Sequence, residues 1–224
     1  MLTDRVVTGQ LVIGRGRITD VRPLPDDDRA PLLAPGFIDL HVHGFDGHDA
    51  VAGPGAIAGM ARALLGHGVT AVLPTAMSSP MERLAAFAAD AREVIAAPPP
   101  DGARVLGFNL EGPCLASSRR GAHDAAHLRA PGELDDRALE PLVDGLRVMT
   151  VAPERPGALA LIERLARRGV VVSLGHSDAT ADQARAGYAA GARATTHLFN
   201  AMSGLDHRRP GLPVAALADD AVTV

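Results

Sequence analysis

The sequence predicts an α/β protein: an incomplete TIM-like (β/α) barrel with a small β-structure at its N-terminal end. Three observations predict it. After Gly36, apolar strand-like runs and helix-like segments alternate six times, the pattern of βαβ units around a parallel sheet. Residues with metal-ligating chemistry close the first, third, fifth and sixth runs: His41 with His43, then Glu111, His176 and His197. That carboxyl edge is where α/β barrels keep their chemistry. Eight such units take about 250 residues, so a 224-residue chain with a distinct opening stretch reads as cut before its last two strands.

The opening stretch, Arg5–Val21, alternates loosely and carries Gly9, Gly14 and Gly16, which predicts short β-hairpins. Pro23–Pro31 is a proline- and aspartate-rich loop. A boundary near residue 33 divides this part (1–33) from the barrel (34–224). Phe37–Val42 then reads as a short buried strand. Side chains alternate along a strand, so His41 and His43 project from the same face. Two imidazoles on a buried strand are costly without a partner. A metal therefore explains them better than an ordinary polar strand exit.

Ala56–Leu65 is a helix by its periodicity and Val69–Pro74 the second core strand. Met81–Ala96 is a long alanine-rich helix stopped by Pro98, Pro99 and Pro100. Arg104–Leu110 is the third strand and delivers Glu111; a rim glutamate is usually solvated, but this one occupies the same topological place as the histidines. Cys114 reads as a small packing residue, with no adjacent base to make it a nucleophile. Ser117–His127 carries Arg119, Arg120 and His123, the profile of a loop over an anion or of plain surface. Leu146–Val151 is the fourth strand, Ala158–Arg168 its helix and Val170–Gly175 the fifth strand. Thr180 and Gln183 form a capping box for a helix over Ala181–Ala190. Ala194–Thr196 is the sixth strand, Asn200–Pro213 a loop, and Asp220–Val224 the opening of a seventh strand.

Composition narrows the function classes. The net charge is −4, and neither a basic stripe nor an aromatic platform is visible, which argues against nucleic acid. No apolar run reaches the ~18 residues of a membrane span, and the N-terminus lacks signal-peptide character. One cysteine fits a reducing compartment, so a cytoplasmic location is expected. All 22 basic residues are arginines; without lysine there is no Schiff-base catalysis and no carboxylated lysine bridging two metals. Two imidazoles and a carboxylate leave coordination positions open, as a catalytic metal requires.

The runs H-V-H-G (41–44), N-L-E-G-P (109–113), S-L-G-H-S (173–177) and T-H-L-F-N-A-M (196–202), in this order, resemble the amidohydrolase superfamily. More narrowly the chain is similar to the N-acetylglucosamine-6-phosphate deacetylases from about Gly9 onward. G-A-H at 121–123 and H-R-R-P-G at 207–211 also match, although that family more often has glutamate where Arg209 stands. The resemblance implies a barrel plus a β-sandwich assembled from both chain ends, and deacetylation of N-acetylglucosamine 6-phosphate. It implies a main divalent metal on Glu111, His176 and His197, with a second, weaker position at His41 and His43; zinc comes first and iron second. Asn200 and Ala201 would offer amide groups to the sugar phosphate, Ala122 and His123 would lie near the sugar, and Arg208 would pair with the phosphate, from a neighbouring subunit if the complete protein is a homodimer. The catalytic aspartate would follow Val224, so the 224-residue chain is expected to be inactive alone. Three readings compete. A dihydroorotase-like hydrolase lacks its lysine here, and a purine-deaminase-like enzyme would place its glutamate after the third histidine segment. The third is a non-catalytic sugar-phosphate or metal-binding remnant.

Overall fold

The computed structural model describes residues 6–27 and 29–224. The chain divides into two compact units, Met1–Pro35 and Gly36–Val224. In the first, β1 (Gly9–Gly14) and β2 (Arg17–Pro23) form one antiparallel hairpin with an irregularity between Val12 and Ile13. Its two-residue connection, Arg15–Gly16, has φ of 52° and 72°, the positive-φ pair that matches the twist of hairpin strands. The expected start at Arg5, and Asp28 of the expected loop, lie outside the described residues. β2 runs on to Pro23, two residues further than the sequence pattern gives.

The second unit is built on a curled, parallel half-barrel sheet. In chain order its strands are β3 (Phe37–Val42), β6 (Val69–Met77), β7 (Arg104–Val105), β8 (Phe108–Glu111), β9 (Leu146–Val151), β10 (Val171–Leu174) and β11 (Ala194–Thr195). A small hairpin, β4 (Gly44–Phe45) with β5 (His48–Asp49), stands between β3 and β6. The spatial order β11-β10-β9-β8-β6-β3 follows the chain, with β7 also pairing β6, and every pairing is parallel. All the strands of this sheet therefore point their carboxyl ends the same way, so residues that follow them gather at one edge. The helices are α1 (Pro54–Leu65), α2 (Met81–Ala96), α3 (Asp136–Val143), α4 (Ala158–Arg167), α5 (Ala181–Ala189) and α6 (Leu212–Leu217). No helix among the described residues is long and apolar enough to cross a membrane.

Helix faces supply the core. α4 buries Ala158, Leu161, Ile162 and Leu165, the i, i+3, i+4, i+7 stripe of an amphipathic helix. Each buried leucine or isoleucine removes apolar surface worth about 1.5–3 kcal/mol. α2 sets Phe87 edge-on to Phe108 of β8, ring centroids 5.5 Å apart. The expected capping box of α5 is present: Thr180 Oγ1 accepts the Gln183 N–H, and the Gln183 side chain accepts the Thr180 N–H at 2.9 Å.

Five expectations need correction. Phe37–Val42 is not buried: β3 pairs only with β6, and Phe37 and Ile38 are 71% and 58% exposed. The third strand is two pieces, because Gly107 at φ +150° breaks it where a Cβ would collide with the Gly145 carbonyl. The segment read as a loop to Pro213 gives way to α6 at Leu212, with Pro213 in its first turn. Residues 136–143 form α3, which the sequence pattern did not indicate. The expected seventh strand is a single parallel bridge, Ala194 with Thr223.

Candidate metal centre

Glu111 ends β8, 4% exposed, and five imidazoles converge on its carboxylate. His41 lies in β3 and His43 one residue past it, with their Nε2 atoms 3.3 Å apart, so the same-face expectation holds. His176 and His197 each follow the last residue of β10 and β11 by two. His176 Nε2 and His197 Nε2 stand 3.0 and 3.1 Å from Glu111 Oε1 and 2.9 Å from each other. His43 Nε2 is 3.1 Å from Oε2 and His41 Nε2 3.5 Å from Oε1. His123, from the loop after β8, is the fifth, 3.2 Å from Oε2.

The donor set fits a cation on hydrogen-bond grounds. A carbonyl oxygen only accepts, so His176 Nδ1, 2.8 Å from the Arg119 carbonyl, is a donor; so is His43 Nδ1, 3.1 Å from the Thr75 carbonyl. In the neutral ring each then turns an Nε2 lone pair toward a carboxylate oxygen. Acceptor faces acceptor at these contacts unless a proton or a metal ion lies between. His41, His43 and Glu111 offer ligand atoms all within 4.8 Å of one another, as do Glu111, His123 and His176.

Backbone geometry holds the edge in place at a cost. His176, His197, Phe199 and Ala201 have φ of 46°, 34°, 73° and 48°, and the left-handed region costs a non-glycine residue roughly 1–3 kcal/mol. Strain of this kind persists only where neighbours over-determine it. The Ser177 hydroxyl and Asp178 N–H both donate to Glu154, each at 2.7 Å, and Arg119 pairs with Asp178 at 2.8 Å. The turn bearing His176 is thereby tied both to the β9 end and to the loop whose carbonyl orients the ring.

Protons and a cation compete for this centre. Burial pushes the Glu111 carboxyl up, but its contacts with His123, His176, His197 and His41 outweigh it and hold it far below the ordinary carboxylate range. The bond to Glu111 raises His43 and His197 above the ordinary 6.5, against burial that lowers them. A raised histidine contributes stability that is full below 6.5 and lost as pH rises through its folded value; a depressed carboxyl contributes stability above its unfolded value near 4.5, lost only far into acid. Cation-free protein should therefore lose thermal stability as pH rises above about 6.5, while the stabilisation given by added Zn²⁺ should grow over the same range, because its ligands must shed protons. Melting midpoints across pH, with chelator and with Zn²⁺, check this; parallel curves would contradict it.

The other expected residues lie in three places. Ala122 is exposed beside the buried His123. Asn200 is exposed, its N–H donating to the His197 carbonyl, and the half-buried Ala201 accepts the Ser177 N–H. Arg208 is exposed in a turn where the Asp206 carboxylate accepts the N–H groups of Arg208 and Arg209, which holds that carboxyl below its usual range. A cavity of about 450 Å³ beside this turn is lined by Arg119, Asp178, Ser203 and Arg209 among others. Burial pushes the Cys114 thiol up to about 12, in keeping with packing. Sequence reasoning missed Thr75, Ser78, the Arg119 carbonyl and Glu154. Thr75 could have been found as a hydroxyl in an apolar run; it is 1% exposed, and its side chain accepts the Val42 N–H at 3.0 Å.

Residues 32–224 match the amidohydrolase family. An N-acetylgalactosamine-6-phosphate deacetylase of Escherichia coli O157:H7 is 39% identical over 94% of this chain and 57% of its own length. The human N-acetylglucosamine-6-phosphate deacetylase is 37% identical over 96% of this chain and 56% of its own. Among solved structures, the Thermotoga maritima N-acetylglucosamine-6-phosphate deacetylase superposes with a TM-score of 0.85 at 33% identity, covering 95% of this chain and 56% of that one. A mutant Mycobacterium smegmatis enzyme in complex with N-acetyl-D-glucosamine-6-phosphate gives 0.82 at 38% identity, over 96% and 57%. The chain thus spans about half the length of the relatives it matches. A parallel half-barrel whose carboxyl edge gathers five imidazoles on one buried glutamate, and a match over all but its first 31 residues, carry the same conclusion: the chain belongs to the amidohydrolase family.

Proposed function

We propose that the full-length protein hydrolyses the N-acetyl group of N-acetylglucosamine 6-phosphate, giving glucosamine 6-phosphate and acetate. The observation that carries this reading is the convergence of His41, His43, His176 and His197 on Glu111 at the carboxyl edge of the sheet. Relatives named for this activity share 32–40% identity with the chain, and the coordination chemistry suits an amide substrate. Glu111, His176 and His197 would hold the main divalent cation, with zinc first, and His41 and His43 would contribute to a weaker second position. When bound, such a cation supplies Lewis acidity toward a water molecule and toward the amide carbonyl.

The chain's own residues do the rest. The carbonyls of Arg119 and Thr75 keep the Nδ1 protons of His176 and His43 turned away from the centre, leaving Nε2 free to bind. Asn200 and Ala201 would present backbone groups to the sugar phosphate, and Arg208 would meet the phosphate. Glu111 is committed to the imidazoles and is not the proton acceptor; that role is expected of an aspartate on a later strand. The cytoplasmic location and a homodimer remain part of the same proposal.

Acetate release from N-acetylglucosamine 6-phosphate, assayed beside its C4 epimer N-acetylgalactosamine 6-phosphate, tests the reading. The gluco substrate should be preferred and its turnover lost with chelator. Preference for the galacto epimer would shift the assignment toward the E. coli relative's named activity. No release from either would sink it.

A further inference from the structure

We propose that Thr75 and Asn109 are positioning residues: side by side on adjacent strands, they pin the main chain on either side of His41 and so set where the His41–His43 pair stands against Glu111. β3 ends the sheet order and pairs with β6 alone. Between Asp39 and Val42 it advances three residues while β6 advances two, from Val72 to Pro74, which makes a β-bulge. Pro74 has no N–H to give a ladder there. Around His41, three main-chain groups end on side chains instead. The Leu40 carbonyl accepts from Asn109 Nδ2 at 3.1 Å, the His41 N–H donates to Asp39 Oδ1 at 3.0 Å, and the Val42 N–H donates to Thr75 Oγ1 at 3.0 Å. A bulged terminal strand is loosely held by its ladder, yet this one carries two of the five imidazoles.

Hydrogen-bond direction and register connect the two side chains to the centre. The Thr75 hydroxyl has one proton, and the Leu73 carbonyl, 3.1 Å away, can only accept it. A lone pair of the hydroxyl therefore faces the Val42 N–H. The Thr75 carbonyl takes the His43 Nδ1 proton at 3.1 Å, so one residue holds both the main chain before His43 and the His43 ring. Only the NH₂ end of the Asn109 amide can donate to the Leu40 carbonyl, which fixes how that side chain is turned. Thr75 and Asn109 are direct partners across the β6–β8 ladder, each 1% exposed, so bulk water does not reach either. Asn109 stands two residues before Glu111 in β8, hence on the same face. The brace thus runs from the strand that carries Glu111, across β6, to the bulge that carries His41. Asn109 Oδ1 is buried with no hydrogen-bond partner among the described residues. A leucine would avoid that loss, but it would leave the Leu40 carbonyl without the donor it uses here.

The inference rests on the reading of His41 and His43 as ligands of the weaker cation position, and one of its two readouts needs no cation. In the full-length protein kept in chelator, hydrogen exchange at the Val42 amide is followed by mass spectrometry at residue resolution. Affinities for the first and second equivalents of Zn²⁺ are then measured by chelator competition. Thr75→Val keeps the shape and removes the acceptor, so Val42 exchange should quicken up to about tenfold, as the loss of one hydrogen bond predicts. The weaker Zn²⁺ affinity should fall 10- to 100-fold, the usual loss when a ligand's support is removed, while the tighter one stays parental. Thr75→Ser returns the hydroxyl and should recover both readouts. Asn109→Leu removes the other donor and should weaken the second position in the same measure. Parental Val42 exchange in Thr75→Val overturns the proposal, and so do equal losses at both cation positions, the mark of general loosening. If Thr75→Val does not fold, Asn109→Leu decides by the same split between the two affinities. A parent that takes up only one Zn²⁺ would instead overturn the reading of His41 and His43 as a second position, and Val42 exchange would then decide the brace alone. A protein that binds Zn²⁺ as described but releases no acetate would overturn the functional reading alone.

Discussion

In the full-length protein, replacing Glu111 with glutamine should strip the proposed cation and reduce the proposed deacetylation more than 100-fold, beyond the 10- to 100-fold typical when only a ligand's partner is lost. The amide is close in size to the carboxylate but carries no charge, and it puts an NH₂ where an acceptor stood. At the centre of five imidazoles that change is felt twice. A cation there would lose its one anionic ligand, and His43 and His197 lose the contact that raises them, so they become easier to deprotonate. Metal analysis of the purified variant should show the stronger site empty. His41→Asn should reduce only the weaker one, because His41 is the most distant of the five, 3.5 Å from Oε1. Retention of a full complement of metal in Glu111→Gln would remove Glu111 from the centre.

Much of this centre was legible because it obeys two simple periodicities. A period of two puts His41 and His43 on one face, and alternation of strand and helix brings Glu111, His176 and His197 to one edge, whatever lies between them in the chain. What the sequence could not show is work done by backbone groups. The Arg119 and Thr75 carbonyls and the Ser78 N–H orient three imidazoles, and a main-chain atom has no signature in a residue's identity. Ser78 was hidden further because the second core strand seemed to end at Pro74. Proline cannot donate to a ladder, yet β6 continues to Met77, with Pro74 opposite Val42 where the register with β3 shifts. α3 was concealed in the same way by Pro141 inside it, although Asp135 caps its first turn at 2.8 Å. The break at Gly107 depends on crowding by Arg147 and Gly145, nearly forty residues later. Long-range contacts of that kind leave no local pattern to read.

Arg208→Ala should separate recognition of the phosphate from the chemistry of the amide. Among the described residues the Arg208 guanidinium has no hydrogen-bond or ion-pair partner, while its backbone N–H is held by Asp206 at 2.7 Å. A fixed main chain with an uncommitted fork suits a ligand better than a structural tie, and the fork geometry matches a pair of phosphate oxygens. A hydrogen bond to a charged group contributes about 1.5–3 kcal/mol, and each 1.4 kcal/mol is tenfold. The variant's kcat/KM for N-acetylglucosamine 6-phosphate should therefore fall about 10- to 100-fold. Any hydrolysis of unphosphorylated N-acetylglucosamine should stay unchanged, because that substrate has no phosphate to meet the guanidinium. Arg208→Lys keeps the charge but loses the paired donors, and should fall between the two. Raising the salt concentration should narrow the gap between parent and variant, since an exposed pair is screened. Equal losses for both substrates would place Arg208 outside the phosphate site and point to a role in holding the 206–210 turn.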